Sequence, residues 1–167
     1  DGRGRILDAN HVEVCAEEAM APEVFLETRR ILIASGSVPA VPPIPGIRLP
    51  NVLTSDELLD KKDVFPALTI IGGGVIGMEF AAIYSALGCK VTVIEFLDRI
   101  LANMDREISQ NLKMILKKRG VDIFTGARVE EIVADGSGRL ICRYREKDVL
   151  QEVVSDGILA AVGRRAY

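Results

Sequence analysis

A chain of 167 residues has the length of one domain with room for an appendage. With 49% apolar and 27% charged residues it can bury a core, which excludes a disordered protein. A formal net charge of −3 gives no electrostatic reason to expect nucleic acid or an anionic membrane as partner. No apolar run reaches the roughly 20 residues that span a bilayer, and no cleavable signal opens the chain. A cytoplasmic location is therefore expected. The opening Asp1-Gly2-Arg3-Gly4-Arg5 has no initiator Met, which suggests a piece of something longer.

Arg3–Leu7 and His11–Cys15 read as short strands, joined as a hairpin by the turn residues Asp8-Ala9-Asn10. Pro22-Glu23 precedes a further apolar run at Val24–Leu26. Arg30–Ala34 has the pattern of a buried strand and ends at Ser35-Gly36-Ser37. Pro39, Pro42, Pro43, Pro45 and Pro50 then fall within twelve residues. Proline cannot donate to a ladder, so this stretch is expected to be an extended connector and the best domain boundary. Thr54 and Glu57 form a capping box that opens a short helix to about Asp60.

From Pro66 onward strands and helices alternate. Leu68–Ile71 is a buried strand that stops at Gly72-Gly73-Gly74. Val75–Leu87 is a helix whose expected inward face is Ile76, Phe80, Ile83 and Leu87, ended by Gly88. Val91–Ile94 is the next strand. Asp105–Arg119 is a second helix with Ile108, Leu112, Ile115 and Leu116 facing inward and Gly120 at its end. Val121–Thr125 completes a parallel, right-handed βαβαβ unit. Val129–Ala134, Arg139–Tyr144 and Val149–Val154 are separated by hairpin-like turns and predict an antiparallel three-stranded meander. A last strand, Ile158–Val162, runs into Gly163-Arg164-Arg165.

The cysteines Cys15, Cys89 and Cys142 share no short spacing, so they read as small apolar core residues. One histidine, His11, cannot build a zinc cluster or a Ser-His-Asp arrangement, and no metal site is expected.

Gly72-Gly73-Gly74-Val75-Ile76-Gly77 matches GxGxxG at Gly72, Gly74 and Gly77. The pattern alone is weak, because glycines cluster in many turns. Here it follows a strand, opens an amphipathic helix, and is answered by Glu95, 18 residues beyond Gly77 at the end of the next strand. Gly72 allows a sharp turn, Gly74 lets a pyrophosphate approach the backbone, and Gly77 packs the helix tightly on the sheet. The helix N-terminus then receives the phosphate charge. Glu95 is positioned to accept hydrogen bonds from a ribose diol and to repel a 2′-phosphate, which favours NAD(H) over NADP(H). Arg99 is the residue that could instead accommodate a phosphate.

With these residues in place the chain resembles the pyridine-nucleotide–disulfide oxidoreductase family of flavoproteins. The likeness rests on Ile33-Ala34-Ser35-Gly36-Ser37 and the prolines after it, on Leu68 to Glu79, on Val91 to Asp105, and on Ala161 to Arg165. It implies an α/β fold: a Rossmann-like βαβαβ parallel sheet, an antiparallel three-stranded meander, and N-terminal strands left over from an FAD domain. On that map residues 1–37 are the FAD-domain remnant and 38–66 a proline-rich connector with a short helix. Residues 67–162 are the NAD(H)-binding domain, and 163–167 are the return crossing.

Ser35, Gly36 and Ser37 resemble the segment that leaves the flavin domain and touches FAD, with Ser35 where the family has threonine. Ala166 stands where proline is usual in the return crossing. Glu79 resembles the family's acid at the nicotinamide end of the site, although by itself it is equally a solvated helix residue. Val129 and Gly163 match positions that contact the nucleotide by backbone and packing. The family's own FAD glycine loop, CxxxxC disulfide and catalytic His-Glu pair lie outside this region, so no catalytic residue and no turnover are expected of this chain alone.

The stretch Asp98 to Asp105 looks most like the members that act on dihydrolipoamide. The implied parent holds FAD, forms a homodimer and is a possible component of a 2-oxo acid dehydrogenase complex. The alternatives are a flavoenzyme resembling glutathione, mercuric or ferredoxin reductase, or a non-catalytic NAD(H)-binding module.

Overall fold

The computed structural model describes residues 2–16 and 24–167. Asp1 and Pro22-Glu23 lie outside the described residues. The chain divides into two compact units, Asp1–Gly36 and Ser37–Tyr167.

The first unit is an antiparallel sheet of β1 (Arg3–Ile6), β2 (His11–Cys15) and β3 (Val24–Glu27), in that order. Its hairpin turn is made by one side chain. The Asp8 carboxylate accepts the backbone N–H groups of Asn10 at 2.8 Å and His11 at 2.9 Å, an Asx turn. The His11 ring is exposed and also meets Asp8, with Nδ1 2.9 Å from the carboxylate. The expected strand at Arg30–Ala34 is not formed, and Leu32 and Ile33 stand 90% and 72% exposed. A strand exists only where a neighbour completes its ladder. No strand pairs with this run among the described residues, a fact that periodicity does not register.

The second unit contains β4 (Ser37–Pro39), β5 (Val52–Thr54), α1 (Ser55–Leu59), β6 (Ala67–Ile71), α2 (Val75–Ala86), β7 (Lys90–Glu95) and α3 (Arg106–Lys118). It continues with β8 (Asp122–Thr125), β9 (Ala127–Ala134), β10 (Leu140–Glu146), β11 (Val149–Ser155), β12 (Gly157–Ala160) and β13 (Arg164–Ala166). Five strands form a fully parallel sheet in the order β5-β12-β6-β7-β8. The meander β11-β10-β9 is antiparallel, with a bulge at Arg143/Tyr144.

Alternating side chains of the sheet serve two cores. Ile70, Val93 and Leu159 pack with Phe80, Ala81 and Tyr84 of α2 and Leu116 of α3. Ile71, Ile94 and Ile158 point to the other face, against Ile132, Leu140, Cys142 and Tyr144 of the meander. The sheet is thus sandwiched, which explains its near-continuous apolar strands.

Thr54 and Glu57 form the expected capping box on α1. The proline-rich segment has no regular element from Ala40 to Asn51, but it is packed rather than free. Ile44, Ile47 and Leu49 join the meander core, and the Ile132 N–H donates to the Pro45 carbonyl at 2.8 Å. The chain ends of this unit pair as an antiparallel ribbon, β4 with β13. Arg164 stitches it, donating to Ser37 Oγ at 2.8 Å, to the Ser37 carbonyl at 2.6 Å and to Asp56 at 2.9 Å. That guanidinium holds the Asp56 carboxyl below its usual range.

Both long helices are rotated from their expected faces. On α2, Ile83 and Leu87 are 51% and 59% exposed, while Gly77, Met78, Phe80, Ala81 and Tyr84 are buried. This helix is apolar on every side, so its small residues, not its large ones, choose the contact face. On α3, Ile108 and Ile115 are about half exposed, and Ser109 and Leu116 are buried. The Ser109 hydroxyl donates to the Ile100 carbonyl at 2.7 Å, which turns a polar residue inward.

Two outcomes follow. A Cβ on Gly157 would lie 2.4 Å from the Phe65 ring. Gly157→Ala is expected to cost about 1–3 kcal/mol in urea unfolding. Phe65→Leu in the same chain should recover part of that loss; additive losses would remove the contact from the account. Burial pushes the Cys89 thiol up to about 11 and the Cys142 thiol up to about 12. Folding therefore favours the protonated thiols, and this contribution is present below pH 9 and lost as pH rises through 11. At pH 8 iodoacetamide should label half-buried Cys15 and spare both of the others; rapid labelling of all three in the folded chain would contradict the core placement.

Candidate functional site

The site is built at the carboxyl end of the parallel sheet, where β6 turns into α2. Gly72 has φ +111°, and a Cβ there would lie 2.4 Å from the Ala161 carbonyl oxygen. Its N–H donates to the Ile94 carbonyl at 2.9 Å. A Cβ on Gly77 would lie 2.1 Å from the Gly72 carbonyl oxygen. Glycine is required at both positions by contact. Gly74 differs: as N-cap of α2 it is in extended backbone, and a Cβ would meet nothing within 4 Å. It faces open space. No side chain caps α2 and its first turn carries no acid, so its orphan N–H groups and positive dipole end remain available.

Glu95 ends β7 and is only 8% exposed. One carboxylate oxygen accepts the Gly73 N–H and the other accepts the Leu97 N–H at 2.6 Å. The Gly73 carbonyl in turn accepts the Leu101 N–H at 2.8 Å. The carboxylate therefore ties the glycine turn to the loop after β7. Each of its oxygens keeps a lone pair for a further donor.

A groove of about 1080 Å³ opens over these residues, near the upper end of the roughly 300–1,000 Å³ usual for ligand sites. Gly72, Gly73, Gly74, Val75 and Ile76 form its floor, and Glu95, Val129 and Gly163 also line it. Gly77 lies beneath, holding α2 in place. Glu79 is exposed on α2 and does not line the groove. Ser35 and Gly36 belong to the first unit, and the Ser37 hydroxyl is engaged by Arg164. Arg99 lines the groove, but its guanidinium donates to the Ala102 carbonyl at 2.7 Å and so braces its own loop.

Other walls are not singled out by the sequence: Pro43–Pro45, Asn103, and the start of β9 from Ala127 to Glu130. The last was accessible to one rule, since open α/β sheets bind ligands in the crevice outside the carboxyl ends of their strands. Among the described residues no cluster of three metal-ligating side chains occurs. No described helix is long and apolar enough to cross a membrane.

A parallel sheet with a glycine turn under a bare helix N-terminus places the unit among the Rossmann-like α/β folds. The chain belongs to the pyridine nucleotide-disulphide oxidoreductase family, which it matches over residues 2–167. A dihydrolipoyl dehydrogenase of Acholeplasma laidlawii is 41% identical over 99% of this chain and 47% of that protein. A mercuric reductase of Lysinibacillus sphaericus is 34% identical over 98% of this chain and 29% of its own length. Among solved structures, the Cu(II) complex of the HOCl-induced flavoprotein disulfide reductase RclA from Escherichia coli aligns with a TM-score of 0.75 and 34% identity. It covers 99% of this chain and 36% of that one. The chain spans less than half the length of each of these relatives.

The double tie at Glu95 has a measurable consequence. Glu95→Gln presents an NH2 group to one of two backbone N–H donors, so one bond is lost and a donor is stranded. A loss of about 1–3 kcal/mol in thermal or urea unfolding is expected without any ligand. An unchanged midpoint would mean the carboxylate does not hold the turn.

Proposed function

We propose that Ser37–Tyr167 carries the NAD(H)-binding site of a flavin-dependent disulfide oxidoreductase, with dihydrolipoamide as the substrate class of the whole protein. One observation carries this: Gly74 leaves open space at an uncapped helix N-terminus, across a groove from a buried carboxylate at the end of the next strand. The residues fit a dinucleotide. The Gly72–Gly77 turn and the α2 N–H groups would hold the pyrophosphate, and the spare lone pairs of Glu95 would accept the ribose hydroxyls. Because Glu95 already carries a negative charge in a small space, a 2′-phosphate there is disfavoured, which supports NAD(H) over NADP(H). Val129 and Gly163 would close on the nucleotide by backbone and packing.

Bound in this way, the nicotinamide supplies or accepts a hydride in exchange with the flavin. The protein's share is orientation and charge. The Arg164 stitch between β4 and β13 would fix the two strands through which the chain enters and leaves this unit. On the same reading residues 1–37 are part of an FAD-binding domain, with Ser35, Gly36 and Ser37 at the FAD crossing. Residues 38–66 connect it to the NAD(H)-binding domain at 67–162, and 163–167 return. Glu79 would face the nicotinamide end. A cytoplasmic homodimer, able to serve a 2-oxo acid dehydrogenase complex, completes the proposal. The identity to the Acholeplasma laidlawii enzyme supports the choice of dihydrolipoamide over the mercuric-reductase alternative.

Calorimetric titration with NADH and NADPH tests the cofactor. NADH should bind measurably tighter, and equal affinity would remove Glu95 as the ribose reader. Gly74→Val should leave the unfolding midpoint unchanged, since its backbone suits valine and its Cβ meets nothing, while NADH binding falls below detection. Retained binding would take the glycine turn out of the site. Glu95→Arg is the poorer probe of selectivity, because it also cuts the ties to Gly73 and Leu97.

A further inference from the structure

The groove runs past Glu95 into an end that the glycine turn and the carboxylate do not explain. Two walls face each other there. One is Phe96 and Leu97, which follow Glu95 directly; the other is Ala127 to Val129 at the start of β9. They are held beside one another by the pairing of Glu95 with Thr125 and by the Gly126 N–H, which donates to the Leu97 carbonyl at 2.7 Å. Phe96 is 67% exposed although it sits next to a buried strand. Such exposure of a large aromatic ring beside a polar groove is costly unless something covers it.

The cations of this region divide cleanly. Arg143 is paired with Glu131 and Glu152, and Arg145 with Glu130, each at 2.7 Å. Arg99 is spent on the Ala102 carbonyl. Arg128 lines the groove, is exposed, and makes no ion pair or side-chain hydrogen bond among the described residues. Its nearest carboxylate is Glu130, which is already committed to Arg145. An exposed ring and an uncommitted guanidinium at one end of a groove, with an aliphatic floor at Leu97 and Val129, match the needs of a flat, polarisable heteroaromatic ring. The ring stacks on one face and a planar cation covers the other.

We propose that Phe96 and Arg128 clamp the purine base of the dinucleotide, acting as positioning residues that select adenine at the end of the groove beyond Glu95. The clamp rests on the dinucleotide reading of the site, and it adds a base-selective contact to a turn and a carboxylate that read only phosphate and ribose. It also gives the start of β9 a reason to line the groove with a charged residue.

The test is titration of the 167-residue chain and its variants with NADH, with ADP-ribose, with nicotinamide mononucleotide, and with the dinucleotide carrying cytosine in place of adenine. Phe96→Ala should weaken NADH and ADP-ribose about ten-fold or more, and Arg128→Ala about three- to ten-fold. Neither should change binding of the mononucleotide or the unfolding midpoint. Both should shrink the preference for adenine over cytosine, a ratio that a purely structural role leaves alone. Arg128→Lys should restore only part, since a point charge lacks the planar face.

If the unsubstituted chain binds none of the adenine ligands, the dinucleotide reading fails and the clamp with it. If it binds NADH and the variants bind equally well, or lose adenine and cytosine forms alike, the clamp alone is overturned. A loss with Arg128→Ala confined to NADPH would also overturn it and assign the guanidinium to a phosphate.

Discussion

The groove exists because three segments of backbone meet where no Cβ fits. The Gly72 turn lies against the end of β12 at Ala161, and the first turn of α2 lies against Gly72 through Gly77. Any side chain at either position would lift the helix from the sheet or the turn from its neighbour. Glycine here is unfavourable for the unfolded chain's entropy, since it loses the most freedom on folding. That cost is offset by contact, and what it secures is the direction of a dipole. The helix N-terminus is delivered over the sheet's carboxyl edge with its N–H groups unspent. The charge preference of the groove therefore comes from the backbone, before any side chain contributes.

Glu95 converts this local packing into a connected unit. Its two oxygens bridge Gly73 and Leu97, the Gly73 carbonyl takes the Leu101 N–H, and Ser109 of α3 takes hold of Ile100. Ile100 is fully buried and lies 2.9 Å from where a Cβ on Gly73 would sit. The loop from Phe96 to Asp105 is thus fixed at the glycine turn, at its own Arg99 brace and at the next helix. A ligand entering here meets walls already ordered, and little binding energy is spent on arranging them. The same bonds mean that the carboxylate is structural before it is selective, so its two roles can be separated only by measuring stability and affinity on the same variants.

The features legible in the sequence were those with local causes. The Asp8 turn, the Thr54–Glu57 capping box, the Gly88 and Gly120 helix ends and the meander with its short turns all depend on neighbours within a few residues. The glycine turn and Glu95 were legible because a strand, a turn and a helix follow one another at short range. What escaped depends on partners distant in the chain. Arg30–Ala34 reads as a strand from composition, but pairing is a property of two segments. The faces of α2 and α3 were misassigned because large residues were weighed above small and polar ones, whereas Ala81 and Gly77 set one contact and the Ser109 hydroxyl set the other. The proline segment's packing against Ile132, and the ribbon joining β4 to β13, come from segments roughly 90 and 127 residues apart. No periodicity encodes such distances.

The meander occupies the face of the sheet that a doubly wound fold covers with helices, and this choice has a consequence for the site. A helix would present one stripe to the sheet and leave its ends at loops. A strand entering directly from β8 through Gly126 instead starts at the groove and continues into the core. Within four residues β9 buries Ala127, exposes Arg128 and half-buries Val129 against the second core. Wall and core are thus consecutive positions of one strand, and alternation assigns them without any special loop. Packing changes at Ile132, Cys142 or Tyr144 are transmitted to the groove along β9, because its register against β10 is pinned on either side of the Arg143/Tyr144 bulge. The far end of the site is in this sense specified by the second hydrophobic core, just as the near end is specified by the glycine contacts of the first.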